Sequence, residues 1–94
     1  MLGTNHFSQE IVKKVGDALI VDWSKISMEQ FASGMEVELE HGTKDPKTNV
    51  TDDDMMLTGK IALAHLKEFP DYYSRLEKME NEAKAYPQAN EKVL

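Results

Sequence analysis

The sequence predicts an all-α fold, a small four-helix bundle. Apolar residues recur at intervals of three and four in four segments, at about residues 8–19, 28–41, 52–69 and 70–85. Each segment has a residue that favours a helix start, and no segment alternates between apolar and polar residues as a half-buried strand does. A chain of 94 residues supports one hydrophobic core, so we expect a single domain over residues 1–86 and a flexible tail over residues 87–94.

The first two helices each begin at a serine that can cap them. Ser8 precedes apolar positions at helical spacing, and Ser27 stands three residues before Gln30, which is the spacing of a capping box. Gly42 supplies a stop for the second helix. The short segment between the two helices is expected to be a loop whose Trp23 plugs the core.

The second helix carries an acidic side chain on its inner face. Its apolar stripe is Met28, Phe31, Met35 and Leu39. At about 100° per residue, Glu38 projects within about 20° of Phe31, so we expect Glu38 to face the core. His41 lies beside it at the edge of the stripe. Glu36 and Glu40 point to the solvent side.

The third helix is expected to begin with Thr51 as its N-cap. Asp52, Asp53 and Asp54 would then occupy the first turn, where carboxylates complement the helix dipole. The predicted inner stripe is Leu57, Ile61 and Ala64.

Pro70 suits the first position of a fourth helix, because its missing N–H is not needed there. The apolar side of this helix is Tyr72, Tyr73, Leu76, Met79 and Ala83. The short link between the third and fourth helices predicts that they pack antiparallel.

Two Glu–His pairs on the inner faces form the main candidate site. Glu38 and His41 are three residues apart on the second helix, and His65 and Glu68 are three residues apart on the third. This spacing places a carboxylate oxygen and an imidazole nitrogen on adjacent turns, as in metal sites built inside helical bundles. The expected cofactor is at most one divalent transition metal, namely zinc, manganese or iron.

The relative direction of the second and third helices decides which residues can share that ion. In an antiparallel pair the better site consists of Glu38, His41 and Asp54. His65 and Glu68 would then lie roughly 15–20 Å away. The polar connection of about nine residues can instead span a helix and allow parallel helices. Without a metal, the same side chains would form a polar network that fixes helix register.

The formal net charge of −6 comes from one region of the chain. Residues 28–54 hold eight carboxylates against two lysines, and the rest of the chain is balanced. Such a surface repels phosphate backbones and attracts basic protein surfaces, so direct nucleic-acid binding is disfavoured and another protein is the expected partner. The residues expected to meet this partner are Glu36, Glu40, Asp52, Asp53, Tyr72 and Tyr73.

Several protein classes are excluded by composition. Without cysteine there is no disulfide framework and no thiolate chemistry, and a reducing compartment, the cytoplasm, is expected. No signal peptide is visible, and no apolar run approaches the roughly 18–20 residues that cross a bilayer, so we expect no membrane segment. We assign no catalytic residues and rank catalysis third, after protein binding and metal binding, because the sequence has no nucleophile arrangement and no glycine-rich phosphate loop.

Two motifs carry a resemblance to a known family. EVELEHG at residues 36–42 and AHLKEFPDYY at residues 64–73 resemble an uncharacterised family of short bacterial and phage proteins, known as a domain of unknown function. The resemblance covers about residues 21–82 and brings no activity. It implies that a recurring unit contains Glu38, His41, His65, Glu68, Pro70, Asp71, Tyr72 and Tyr73.

The expected function is therefore binding of another protein by a small acidic domain. Four methionines, at 28, 35, 55 and 56, could line an adaptable groove for it, although methionines at helical spacing are more often core residues. One alternative is a metal-binding helical protein that uses the two Glu–His pairs. The resemblance to phage proteins adds another, an acidic inhibitor that occupies the nucleic-acid groove of a host protein.

Overall fold

A computed structural model of the chain describes residues 7–85, and the predicted tail at residues 87–94 lies outside that range. The described part contains four α-helices and no strand, which confirms the predicted all-α fold. The helices are α1 (Gln9–Ala18), α2 (Met28–Glu38), α3 (Met55–Glu68) and α4 (Tyr72–Ala85), and a 3-10 turn at Leu39–His41 extends α2. None of these helices is long and apolar enough to cross a membrane.

Both predicted serine caps are confirmed. The Ser8 hydroxyl accepts a hydrogen bond from the Ile11 N–H at 3.1 Å, and the Ser27 hydroxyl accepts one from the Gln30 N–H at 3.0 Å. Each bond satisfies an N–H group that the first helical turn leaves without a partner. The second helix is shorter than predicted, because its last three residues tighten into the 3-10 turn.

The predicted start of the third helix is wrong. Asp54 is the N-cap, and its Oδ1 accepts a hydrogen bond from the Leu57 N–H at 2.9 Å. Asp52 and Asp53 have φ angles of 53° and 63°, which a first helical turn does not allow. Thr51 is buried before this turn, and its hydroxyl accepts a hydrogen bond from the Asp53 N–H at 3.2 Å.

The inner face of α3 is also rotated from the predicted stripe. Its buried residues are Thr58, Gly59, Ala62 and Leu66, whereas Leu57 is 44% exposed and Ala64 is exposed. Gly59 and Ala62 on this face are small, which lets the neighbouring helices come close. A Cβ atom built on Gly34 of α2 would lie 2.9 Å from the Cβ of Ala62. Periodicity of large apolar residues does not reveal such a contact.

The fourth helix begins at Tyr72, two residues later than predicted. Phe69 is extended, with φ −142° and ψ 122°, because the residue before a proline is pushed away from helical angles. Pro70 therefore belongs to the turn between the helices, and the Asp71 carbonyl accepts the hydrogen bond from the Arg75 N–H.

The core lies where α1, α3 and α4 pack against α2. Its buried apolar residues are Val12, Val15, Val21, Ile26, Phe31, Met35, Ala62, Leu66 and Tyr73. Trp23 packs edge-on against Phe31 from the loop after α1, as expected, with 5.8 Å between ring centroids. The Trp23 indole N–H donates to Asp17 at 2.8 Å, which satisfies the polar edge of the half-buried ring.

The connection between α2 and α3 folds back on itself. The His41 carbonyl accepts hydrogen bonds from the N–H groups of Val50 and Thr51, at 2.6 and 3.2 Å. Gly42 packs so closely against Asp53 that a side chain there would collide with the carboxylate. Residues 50–53, which precede α3, therefore lie beside the end of α2. The contacts between the two helices follow the same order along both, with Gly59 beside Phe31, Ala62 beside Gly34 and His65 beside Glu38. This is the order that the parallel alternative predicts, although the connection is folded back and not extended.

Candidate functional site

A buried carboxylate stands at the centre of the Glu38 cluster, which we define as Glu38, His41, His65, Glu68, Tyr72 and Tyr73. Glu38 faces inward, as predicted, and is only 4% exposed. Its Oε2 accepts a hydrogen bond from the Tyr73 hydroxyl at 2.7 Å. His41 Nε2 lies 3.6 Å from Oε1, and His65 Nε2 lies 3.7 Å from Oε2. One carboxylate therefore faces two imidazoles from different elements.

The two imidazoles differ in how firmly they are held. His65 stacks on Tyr72, with 4.3 Å between ring centroids and 13° between planes, and its Nδ1 lies 3.7 Å from Glu68 Oε1. The Tyr73 ring also meets it edge-on at 6.1 Å. The His41 side chain is 48% exposed and has Glu40 as its second acidic neighbour, at 3.9 Å. His65 is thus packed against aromatic rings, whereas about half of the His41 side chain faces solvent.

The proton between Tyr73 and Glu38 belongs to the tyrosine. Burial raises the pKa of Tyr73 far above its usual range, and the hydrogen bond to Glu38 raises it further. Tyr73 is therefore a neutral donor to an acceptor carboxylate. Within residues 7–85, no lysine or arginine side chain pairs with Glu38, and its partners are the tyrosine and the two histidines.

The structure brings Glu38, His41, His65 and Glu68 into one cluster, which the parallel alternative allowed and the antiparallel layout did not. The separation of roughly 15–20 Å between the two pairs, expected for antiparallel helices, is not observed. That value assumed that His65 lies near the start of α2, whereas His65 Nε2 lies 3.7 Å from Oε2 of Glu38 at the end of α2. Asp54 does not join the cluster, because its carboxylate caps α3. Across residues 7–85, no three His, Asp or Glu side chains are arranged to hold a metal ion.

Asp53 closes the loop that precedes α3. Its Oδ1 accepts a hydrogen bond from the Thr43 N–H at 2.9 Å, and its Oδ2 accepts one from the Thr43 hydroxyl at 2.6 Å. These bonds, with the hydroxyl bond the stronger cause, lower the pKa of the Asp53 carboxyl. Asp52 is tied to the same loop, because its N–H donates to the Asn49 side chain at 2.8 Å. The loop is thus an ordered element.

The predicted partner-binding residues are not equally accessible. Glu40, Asp52 and Asp53 are exposed, and Tyr72 is half-buried. Glu36 is also half-buried and accepts a hydrogen bond from the Phe7 N–H at 3.2 Å. Tyr73 is 1% exposed and has no surface to offer to a partner.

Sequence reasoning named Met55 and Met56 as possible groove residues, but it missed Val50 and placed Leu57 on the inner stripe, whereas the fold leaves all four side chains in solvent. Val50 is 73% exposed, Met55 43%, Met56 37% and Leu57 44%, and we call these four residues the exposed apolar surface. Met35, in contrast, is fully buried. A signal was present in the sequence, since three consecutive apolar residues span about 200° of a helix and cannot all face one core.

Comparison with known proteins shows the family and no more. No curated protein matches the chain, and no solved structure matches it. The pattern of one family matches residues 12–82, which include the whole Glu38 cluster and the exposed apolar surface. The chain therefore belongs to the family described as "Protein of unknown function (DUF5661)".

Proposed function

We propose that this domain binds another protein through the exposed apolar surface. One observation carries the proposal: four large apolar side chains, each 37–73% exposed, lie within eight consecutive residues, Val50 in the loop before α3 and the other three in the first turn of α3. Single exposed apolar residues are ordinary on soluble domains, whereas a group of them marks an interaction site. Its two methionines are flexible and polarisable, which suits a contact surface.

The loop that carries Val50 is already ordered in the free domain. Two hydrogen bonds between Thr43 and Asp53 close the loop. The His41 carbonyl accepts hydrogen bonds from the N–H groups of Val50 and Thr51. Binding by an ordered loop avoids part of the entropy loss that a mobile loop would suffer. This order supports the loop and the first turn of α3 as a preformed contact surface.

The charge around the surface specifies the chemistry of the partner. Asp52 and Asp53 lie between Val50 and Met55 in the chain, and residues 28–54 carry the whole net charge of −6. A complementary surface would have an apolar centre and a rim of lysine and arginine. The nucleic-acid groove of another protein has such a basic rim, so inhibition of a nucleic-acid-binding protein is one form that this function can take.

The test compares two surface variants on the full chain. Proteins captured by the immobilised wild type are purified, and their affinities are measured for wild type, for the triple variant M55S/M56S/L57S and for M79S. Met79 is the control, because it is 54% exposed and belongs to α4, not to the loop or to α3. We expect the triple variant to lose at least about tenfold in affinity and M79S to lose little. Equal affinity of the triple variant and the wild type would refute the proposal.

Metal binding by the Glu38 cluster is the second candidate. The observation that favours it is that His41 Nε2 and His65 Nε2 face the two oxygens of one carboxylate. Among residues 7–85 no three ligand side chains are arranged to hold an ion, so binding would require the exposed His41 side chain to change its position. The test is elemental analysis of tag-free protein with a zinc titration followed through the imidazole resonances. A joint stoichiometric shift of both histidines would support a shared site, and unchanged resonances would remove this candidate.

A further inference from the structure

The methionines of the described chain differ widely in exposure. Met79 is 54% exposed, Met55 43% and Met56 37%. Met35 is fully buried, and Met28 is half-buried and packs against the core. Oxidation of methionine follows its accessibility to solvent. A dissolved oxidant therefore reaches the sulfur atoms of the three exposed residues before that of Met35.

Two of the exposed methionines, Met55 and Met56, belong to the exposed apolar surface. They are the first two residues of α3, and they are not among the described residues that form the core or pack against it. Leucine in their place would supply a similar apolar volume without a reactive sulfur. The two adjacent thioethers therefore give this surface a chemistry that apolar contact alone does not require.

Oxidation turns each thioether into a polar group. A sulfur lone pair attacks one oxygen of a hydroperoxide, and the O–O bond breaks. With hydrogen peroxide the leaving hydroxide takes the proton of the transferred oxygen, so the products are methionine sulfoxide and water. The sulfur is oxidised by two electrons and the peroxide is reduced by two. The sulfoxide oxygen accepts hydrogen bonds from water, and a partner that covers it without a donor removes them at a cost.

We propose that hydroperoxides switch off binding at the exposed apolar surface by oxidising Met55 and Met56. This inference rests on the proposed function and names a regulation for it. A partner that packs on the oxidised surface has to bury two polar sulfoxides where it met two apolar thioethers. Methionine sulfoxide reductases convert both groups back, so the switch is reversible.

The fold itself is expected to survive this oxidation. Both side chains lie outside the core, and the cap of α3 is a bond from the Leu57 N–H to the Asp54 carboxylate, which involves neither sulfur. The Tm of the oxidised domain should therefore stay within about 4 °C of that of the reduced domain.

The first measurement is the order in which the methionines react. The full chain is treated with hydrogen peroxide, the reaction is stopped with catalase, and the oxidised positions are identified by peptide mass spectrometry. We expect Met55 and Met56 to be converted while Met35 remains a thioether. Equal rates at Met35 and Met55 would overturn the proposal, because exposure would then not direct the oxidation.

The second measurement uses peptides that bind the exposed apolar surface. A displayed library of random dodecapeptides is selected in alternate rounds on reduced wild type and on M55L/M56L, whose leucines cannot form sulfoxides. Counter-selection on M55S/M56S/L57S removes peptides that bind elsewhere on the domain. The selected peptides are added only after catalase has removed the peroxide.

Each protein is then compared with its own untreated form. We expect peroxide treatment to lower the affinity of wild type for these peptides at least about tenfold. Treated M55L/M56L should retain its affinity, although its Met79 is oxidised as in wild type. Incubation of treated wild type with methionine sulfoxide reductases should restore the lost affinity.

The failures of the two proposals are distinguishable. If no peptide requires the exposed apolar surface, the proposed function fails and the switch fails with it. If such peptides bind oxidised wild type unchanged, the switch alone is overturned. An equal loss of affinity in M55L/M56L would assign the effect to other methionines, and a fall in Tm beyond about 4 °C would assign it to unfolding. Either result would overturn the switch and leave the proposed function standing.

Discussion

Tyr73 donates its hydroxyl proton to Glu38 Oε2 at 2.7 Å, and this bond joins α4 to α2 inside the core. Removal of the hydroxyl in Y73F leaves a buried carboxylate without its close donor, since both imidazoles are beyond 3.5 Å. We expect Y73F to lower the free energy of unfolding by about 1–3 kcal/mol. Urea unfolding at neutral pH measures this loss.

Tyr72→Phe is the matched control for that measurement. Tyr72 lies next in the chain and stacks on His65 through its ring, which phenylalanine retains. We expect Y72F to stay within about 0.5 kcal/mol of wild type. A loss of equal size in both variants would mean that the Tyr73–Glu38 bond has no special contribution.

The same bond predicts how stability changes at alkaline pH. Burial raises the pKa of Tyr73 in the folded state above its unfolded value, which is about 10. The folded state therefore holds its proton where the unfolded state loses one, so this contribution is fully present below about pH 10 and is lost as pH rises further. Through Tyr73 the free energy of unfolding falls by at most about 1.4 kcal/mol for each unit of pH.

Y73F has no titrating group at residue 73. Comparison of wild type with Y73F therefore separates the effect of Tyr73 from that of the lysines and the other tyrosines. Urea unfolding of both proteins between about pH 9 and pH 11 should show the stability advantage of wild type shrinking as pH rises. Parallel curves over that range would contradict the raised pKa of Tyr73.

The inward position of Glu38 could be predicted from the sequence, whereas its partners could not. The direction in which Glu38 projects from α2, relative to Phe31, depends only on the spacing of the two residues in the helix. The Ser27 cap fixes where that helix begins. The contact with His65 depends on how two helices cross, which is a long-range property. Likewise the face of α3 follows from Gly59 and Ala62, whose small size matters only against a neighbouring helix.

Gly34 allows that crossing, and its replacement tests the crossing directly. A Cβ atom there would lie 2.6 Å from the Tyr73 ring and 2.9 Å from the Ala62 Cβ, and both neighbours are packed in the core. Alanine would gain about 1 kcal/mol of helix propensity but lose about 1–3 kcal/mol through overpacking. We therefore expect G34A to be less stable in urea unfolding, with a changed near-UV signal from Tyr73. Equal or greater stability would show that the helices can separate at little cost.

Asp53 predicts a loss of stability in acid. Its hydrogen bonds from Thr43 lower its pKa below the unfolded value, which is about 3.9. The stabilisation is therefore present above about pH 4 and is lost as pH falls through the lower folded value. Asparagine tolerates the φ of 63° at this position and can still bond to Thr43, but it does not titrate. Thermal unfolding at about pH 7 and pH 3 should show a smaller drop in Tm for D53N than for wild type, because only wild type loses a charged acceptor.

D53A lacks both the acceptor and the tolerance for left-handed angles, so its Tm should already be low at pH 7. Equal drops in wild type and D53N would assign the acid sensitivity to other carboxylates.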